Sequence, residues 1–300
     1  MSSLLGIDWG TTSFRAYLLD LKGTIVKAIH SDAGILSVKN NDFITPLHEQ
    51  LSNLGETLND LPIIASGMIT SKNGWMETPY IECPATIGDI AAELQPLSVE
   101  NLGTIWFVPG VKQLHPEPDI MRGEETQLAG LEQHGKKTVI LPGTHSKWVK
   151  MEGNMLTQFK TFMTGDMYNA VLANTILQAT PMQDWSDEDF LSGVVTGYER
   201  YTQGTTLLSA LFQVRVQAIL ELSSAEGWRS FISGLLIGTE IGEGLNCGYA
   251  KSDTFTIIGA EKLAHLYCNA LKACNITSVV QSAELAAQGL YRLAQNRKFL

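Results

Sequence analysis

The chain has 300 residues, 44% of them apolar, and a net charge of −10; this allows one large or two ordinary domains and argues against nucleic acid, since no basic run follows a phosphate backbone. No stretch reaches the roughly 18 uninterrupted apolar residues of a membrane helix, and the N-terminus lacks a basic-then-apolar leader, so a cytoplasmic protein is expected. Cys83, Cys247, Cys268 and Cys274 show neither zinc spacing nor a Cys-x-x-Cys pair, which implies reduced thiols.

Residues 4–20 read LLGIDWGTTSFRAYLLD. An apolar run (Leu4, Leu5, Ile7) ends at Asp8, a Gly10-Thr11-Thr12-Ser13 turn follows, and a second run returns through Arg15 to Asp20, predicting a β-hairpin. Such a turn can aim backbone N–H groups and hydroxyls at phosphate oxygens, and an acid at the strand end suits Mg²⁺. The same residues also read as an ordinary hairpin with a buried Asp. A third strand is expected over 24–29, and a helix over 43–58 from the spacing of Phe43, Leu47, Leu51, Leu54 and Leu58. A buried strand over 62–65 runs into Ser66-Gly67-Met68-Ile69-Thr70-Ser71, the small polar end at which open α/β sheets place ligand contacts. Residues 74–84, with Trp75, Glu77, Tyr80, Glu82 and two prolines, read either as a binding loop or as a proline-pinned surface excursion. After a helix over 88–94 and a strand over 104–108, a loop from Pro118 enters a helix with Glu124 and Glu125 in its first turn beside Arg122. These acids either offset the helix dipole or supply a general base with an orienting partner. Residues 130–137 imitate a phosphate-binding P-loop but lack its final Ser/Thr and run from helix to strand, and 242–248 misses the spacing of a dinucleotide fingerprint.

The second half begins with a strand over 138–141 and Gly143-Thr144-His145-Ser146-Lys147-Trp148. A strand over 155–162 ends near Asp166, and helices are expected over 169–178, 207–222 and 228–237. Residues 233–240 carry small residues at both ends, as at a close helix contact. A strand over 254–258 meets a helix over 261–273 at Gly259-Ala260; the junction either lets an adenine ring lie on backbone or is a plain turn. A strand over 276–280 and a helix over 283–294 complete the chain.

The two halves echo each other. Gly10-Thr11-Thr12-Ser13-Phe14-Arg15 recurs 133 residues later as Gly143-Thr144-His145-Ser146-Lys147-Trp148, each after an apolar run and each before a strand, a Gly turn and another strand. The period is far too long for a solenoid. It implies two similar domains, 1–136 and 137–300, with the terminal helix 283–300 returning to the first, and two turns that hold one nucleotide between them.

With these residues assembled, the chain resembles the sugar-kinase, Hsp70 and actin superfamily. More narrowly it resembles the 2-dehydro-3-deoxygalactonokinase family, through DWGTTSFRAYLLD, IASGMI, GW-x-E-x-PY-x-x-CPA, PD-x-MRGEETQL, LPGTHSKWV and TFMTG in that order. Small departures fall at Asp166 and in the substrate loop at Thr70, Lys72 and Asn73. The resemblance implies an α/β fold of two ribonuclease-H-like, actin-like ATPase domains, with mixed sheets flanked by helices around a nucleotide cleft. It implies transfer of the γ-phosphoryl of MgATP to the terminal hydroxyl of a 2-keto-3-deoxy sugar acid. ATP would meet Gly10, Thr11, Thr12, Ser13, Gly143, Thr144, His145, Ser146, Lys147, Gly259 and Ala260. The sugar acid would meet Arg15, Ser66, Gly67, Met68, Trp75, Tyr80 and Arg122. Asp8 would stand on the metal side, and Glu124 would be the base, with Glu125, Asp119 and Asp166 in reserve. Partners would be the sugar acid and MgATP, with no nucleic acid or membrane; whether the chain is a homodimer stays open. The rival readings are a kinase for a related sugar or sugar acid, an ATPase or polyphosphatase of the same fold, a non-catalytic ATP-gated sugar-acid-binding module, and an NAD-dependent dehydrogenase, against which the missing glycine fingerprint counts.

Overall fold

The computed structural model describes residues 2–55, 61–132, 134–179, 185–220, 227–282 and 284–300. The chain divides into two compact units. One holds Met1–Lys136, Met151–Phe159 and Ala283–Leu300; the other holds Lys137–Lys150 and Lys160–Ser282.

In the first unit, β1 (Ser2–Trp9), β2 (Phe14–Asp20) and β3 (Ile25–Ser31) form an antiparallel meander with Trp9 opposite Phe14 across the turn. Helix α1 (Ile44–Ser52) follows, shorter than the periodicity suggested; Leu54 is still buried, while Leu58 lies outside the described residues. Next come β4 (Ile63–Ser66), β5 (Tyr80–Glu82), β6 (Ala85–Thr86), α2 (Ile87–Ala92), β7 (Gln95–Val99), β8 (Gly103–Phe107), β9 (Gly110–Gln113), β10 (Asp119–Met121) and α3 (Glu124–Ala129). The main sheet runs β3-β2-β1-β4-β8-β7, with β4 parallel to both β1 and β8. One face carries the aromatic core of Trp9, Phe14, Phe43 and Phe107. A short sheet, β10-β9-β5, occupies part of what the sequence reads as a loop over 74–84. Its strands are only three or four residues long, and β5 pairs with β9 about thirty residues away, so no local periodicity announces them.

The remaining elements are β11 (Lys136–Leu141), β12 (Ser146–Glu152), β13 (Met155–Phe162), α4 (Thr164–Asn174), α5 (Asp187–Thr202), α6 (Leu207–Ile219), α7 (Trp228–Asn246), β14 (Phe255–Ile258), α8 (Glu261–Ala273), β15 (Ser278–Gln281) and α9 (Leu285–Arg297). Residues 222 and 283, which the expected helices include, lie outside the described residues. In the second unit the strands run β13-β12-β11-β14-β15, the same order as β3-β2-β1-β4-β8. The internal repeat is therefore one of topology as well as of sequence. The start of β13 belongs to the first unit, where Met155 and Leu156 pair with Thr86 and Ala85. Helix α9 also belongs there: Gly6 of β1 has no room for a side chain because Leu290 fills the space, and Gly289 lies against the carbonyl of Thr126 in α3.

Two helical features depart from expectation. Helix α5 has no counterpart in the sequence reading, and α7 continues nine residues past 237. Both have one cause. Gly193 and Gly197 on α5 meet Gly234 and Gly238 on α7, and a Cβ on any of the four would lie 2.0–2.2 Å from a backbone oxygen of the opposite helix. Gly242 and Gly244 then lie on the rings of Tyr201 and Trp148. The small residues over 233–240 thus stand at a close helix contact, as their spacing suggests, and the partner that the sequence did not reveal is α5.

Candidate active site

The first Gly-Thr turn is braced from one side. Gly10 N–H donates to Ser13 O at 2.9 Å, Ile35 N–H to Gly10 O at 3.0 Å, and Leu36 N–H to Thr11 O at 3.2 Å. A Cβ on Gly34 would lie 2.3 Å from Thr11 O, so only glycine lets this segment press on the turn. Thr11 and Thr12 remain exposed, with Ser13 half-buried.

Asp8 stands opposite Arg15 in the β1–β2 register and opposite Ser66 in β4. Its Oδ2 accepts from Arg15 Nη1 at 2.9 Å. Burial raises the Asp8 pKa and the Arg15 charge opposes the rise. Ser66 is buried at the end of β4, and Gly67 follows at φ +96°; a Cβ there would lie 2.7 Å from Trp9 O and 3.1 Å from Asp8 Oδ1. Gly123, at φ +105°, comes within 3.3 Å of Gly67 Cα by the same measure. Two positive-φ glycines thus bring the start of α3 against the strand ends that carry Asp8 and Ser66.

The two acids of α3 differ. Glu124 is half-buried and its Oε2 accepts from Arg122 N–H at 3.0 Å. Glu125 is buried, and both its oxygens face Gly123 N–H, at 2.9 and 2.7 Å. Burial, reinforced by the Glu124 charge, pushes the Glu125 pKa up to about 8. Between the unfolded carboxylate's pKa and that value, the folded state holds a proton that the unfolded state has released, so stability falls as pH rises through the window. The apparent Tm should therefore decline from pH 5 to pH 8, and Glu125→Gln should flatten the decline; an equally steep slope in the variant would show that another group causes it.

Several residues expected at the substrate are engaged within the protein. Arg122 Nη1 donates to Thr70 O at 2.6 Å, Thr70 Oγ1 at 2.7 Å and Thr78 Oγ1; Nη2 reaches Thr78 O at 2.9 Å, and Nε reaches Tyr80 Oη at 3.3 Å. The guanidinium also lies 4.3 Å from the Tyr80 ring centroid. Arg122 and Tyr80 therefore lock the loop over 70–80 rather than standing open. The Trp75 ring stacks on Phe43 and meets Phe107 edge-on, so its hydrophobic payload goes to the core, and Met68 packs against the same cluster.

In the second unit, the Gly143-Thr144 turn is braced like the first. Asp166 N–H donates to Thr144 O at 3.0 Å, and a Cβ on Gly165 would lie 2.5 Å from Gly143 O. Gly165 thus repeats the role of Gly34, a correspondence that only the structure reveals. Thr144 and His145 are exposed, and His145 Nε2 lies 2.8 Å from Asp166 Oδ2. Ser146 and Lys147, also expected at the nucleotide, have their side chains turned into the protein. Both are buried because they start β12: Ser146 Oγ bonds Tyr267 Oη at 2.7 Å, and Lys147 Nζ donates to Thr161 Oγ1 at 2.7 Å.

A cavity of about 890 Å³ opens beside this turn, lined by Gly143, Thr144, Gly165 and Ala260 together with Tyr168, Trp185, Arg229 and Lys262. A Cβ built on Gly259, the residue before Ala260, would lie 3.4 Å from Pro142 Cδ. Tyr168, Arg229 and Lys262 are brought there by α4, α7 and α8, and Trp185 by the segment that leads into α5.

Two units with one strand order, each bearing a glycine-braced Gly-Thr turn, define the actin-like class of sugar kinases and ATPases. The activator of the 2-hydroxyisocaproyl-CoA dehydratase from Clostridium difficile, solved with bound ADPNP, shares this fold (TM-score 0.52, 13% identity, 99% of this chain and 96% of that one). The sequence pattern of the 2-keto-3-deoxy-galactonokinase family matches residues 8–293, and the chain belongs to that family. A Rhizobium meliloti (strain 1021) relative given this enzyme name is 32% identical over 295 residues, 96% of this chain and 95% of its own length. The 2-dehydro-3-deoxygalactonokinase of Escherichia coli K12 is 30% identical over 280 residues, 92% of each. The crystal structure of a Sinorhizobium meliloti protein assigned the same activity superposes with TM-score 0.85 at 32% identity, covering 97% of this chain and 98% of that one.

Proposed function

We propose that this kinase transfers the γ-phosphoryl of MgATP to the 6-hydroxyl of 2-dehydro-3-deoxy-D-galactonate, with the sugar acid held by the first unit and ATP by the second. Family membership supports the reaction. The observation that supports the residue assignment is the approach of Gly123, the residue before Glu124, to Gly67, which follows Ser66 and lies close to Asp8. Glu124 takes the proton of the 6-hydroxyl as that oxygen bonds to the γ-phosphorus and the bridge to the β-phosphate breaks, releasing ADP; catalysis is chiefly positioning and charge neutralisation. Arg15, Ser66, Gly67 and the neighbouring Lys72 supply donors for the substrate carboxylate. Arg122 and Tyr80 position the loop that frames it, and Met68 and Trp75 back it from the core. Gly10–Ser13 and Gly143–His145 serve the phosphates, and Gly259-Ala260 the adenosine.

The residues fit a Mg²⁺ ion carried mainly by phosphate and water oxygens. Asp8 offers a partly accessible hard-oxygen carboxylate, and among the described residues no group of three or more His, Cys, Asp or Glu is arranged to enclose a metal. When bound, the ion neutralises charge on the phosphates. No helix among the described residues is long and apolar enough to cross a membrane, in keeping with a cytoplasmic enzyme.

A coupled ADP-release assay across keto-deoxy-aldonic acids, aldonic acids and neutral hexoses tests the function. Turnover should be best with the keto-deoxy acid and at least about tenfold poorer with glucose or galactose, because charge-assisted bonds to the carboxylate are lost. Phosphate release without an acceptor would favour an ATPase; nucleotide binding without turnover would favour a binding module. Thr11→Ala and Thr144→Ala should each lower kcat/KM for MgATP about tenfold, the worth of one bond to a charged phosphate. Wild-type values in both variants at sub-saturating ATP would remove the two-turn assignment.

A further inference from the structure

Glu240 is a buried acid for which the phosphoryl-transfer scheme has no use. It sits on α7, 3% exposed, and binds three elements around the second turn. Trp148 Nε1 of β12 donates to Oε1 at 2.7 Å; Tyr267 Oη of α8 donates to Oε2 at 2.7 Å, and Thr164 Oγ1, the first residue of α4, donates to the same oxygen. Tyr267 Oη also bonds Ser146 Oγ, at the end of the turn. A phenol has one proton. With that proton directed to Glu240, Ser146 donates to Tyr267, and the chain Ser146→Tyr267→Glu240 has a single direction. Thr164 adjoins Gly165, which presses on Gly143, and both Thr164 and Tyr267 line the cavity. One carboxylate therefore grips the turn from its strand side and its helix side at once. Burial raises the Glu240 pKa while its donors oppose the rise.

We infer that Glu240 is a positioning residue for nucleotide binding, holding the Gly143–Ser146 turn through Tyr267, Thr164 and Trp148. The inference rests on the reading of this turn as the nucleotide side. A carboxylate suits the place because it accepts from three donors at once; an amide offers one acceptor oxygen and brings two protons of its own, so one donor must reverse or go unpaired. Partly satisfied buried networks are costly and loose.

The test compares Tyr267→Phe, Ser146→Ala, their double variant and Glu240→Gln in steady-state kinetics of the full chain, with the KM values for MgATP and for the sugar acid measured separately, alongside MgADP binding by calorimetry. Tyr267→Phe is the key variant, since it keeps the ring and the Trp148–Glu240 bond if Glu240→Gln folds poorly. Expected are a rise of about tenfold in KM for MgATP, the worth of a charge-assisted bond, a matching weakening of MgADP binding, and an unchanged KM for the sugar acid. Ser146→Ala and the double variant should match Tyr267→Phe, because all three cut one chain. A merely structural network would lower Tm and the active fraction while leaving KM for MgATP alone, and that result overturns the inference. If Thr144→Ala weakens MgATP use while the Tyr267 and Glu240 variants do not, the inference fails and the nucleotide assignment stands. If Thr144→Ala has no effect either, both fail.

Discussion

Glu124→Gln is expected to lower kcat at least about a hundredfold while leaving MgADP binding nearly unchanged, because the amide keeps the shape of the carboxylate and removes its basicity. The structure sharpens the choice between the adjacent acids. Glu125 is buried against Gly123 N–H and pushed up to about 8, so at pH 7 it is largely protonated and a poor proton acceptor. Glu124 remains partly accessible at the start of α3, held by Arg122 N–H. Glu125→Gln should therefore act mainly on the pH dependence of stability and only mildly on kcat. If Glu125→Gln instead abolishes turnover while Glu124→Gln keeps it, the base moves by one residue and the mechanism survives. Wild-type kcat in both variants would direct attention to Asp8, Asp119 or Asp166.

The second large effect concerns the α5–α7 seam. Helix propensity alone says that Gly238→Ala should stabilise the protein by about 1 kcal/mol. The packing says the opposite: the new methyl would lie 2.1 Å from Val194 O, so the helices must separate. Overpacking of this kind costs about 1–3 kcal/mol, or roughly 3–10 °C in apparent Tm for a unit of this size. Because Ser233, Leu236 and Ile237 of α7 line the cavity, KM for MgATP should rise with the loss of stability. Calorimetry of Gly238→Ala and Gly234→Ala beside the exposed control Ser192→Ala decides the matter. A raised Tm in the glycine variants would mean that α5 and α7 do not meet through their backbones.

The hairpins, the Gly-Thr turns and the acids of α3 were legible because each is a local signal: apolar alternation, a turn composition, a helix entry. The expected bounds 155–162 and 261–273 match β13 and α8. The repeat could be seen because a turn motif of six residues survives in one dimension. What stayed hidden depends on distant partners. The three-stranded sheet has strands too short for a period to register. Gly34 and Gly165 brace equivalent turns, yet each carries meaning only through the backbone beneath it.

Side-chain direction was the other limit. Arg122, Ser146 and Lys147 stand in motifs that suggest contact with ligands, and their types are right for it. Only the folded chain turns Arg122 onto Thr70, Thr78 and Tyr80, and Ser146 and Lys147 inward along β12. The family and its chemistry were thus already present in runs of neighbouring residues, because strand–turn–strand units fold from local patterns. Which of these side chains stay open and which are held within the protein was decided by tertiary packing. Burial and hydrogen-bond partners are set by residues tens to hundreds of positions away, as Glu240 reaching Trp148 across 92 residues shows.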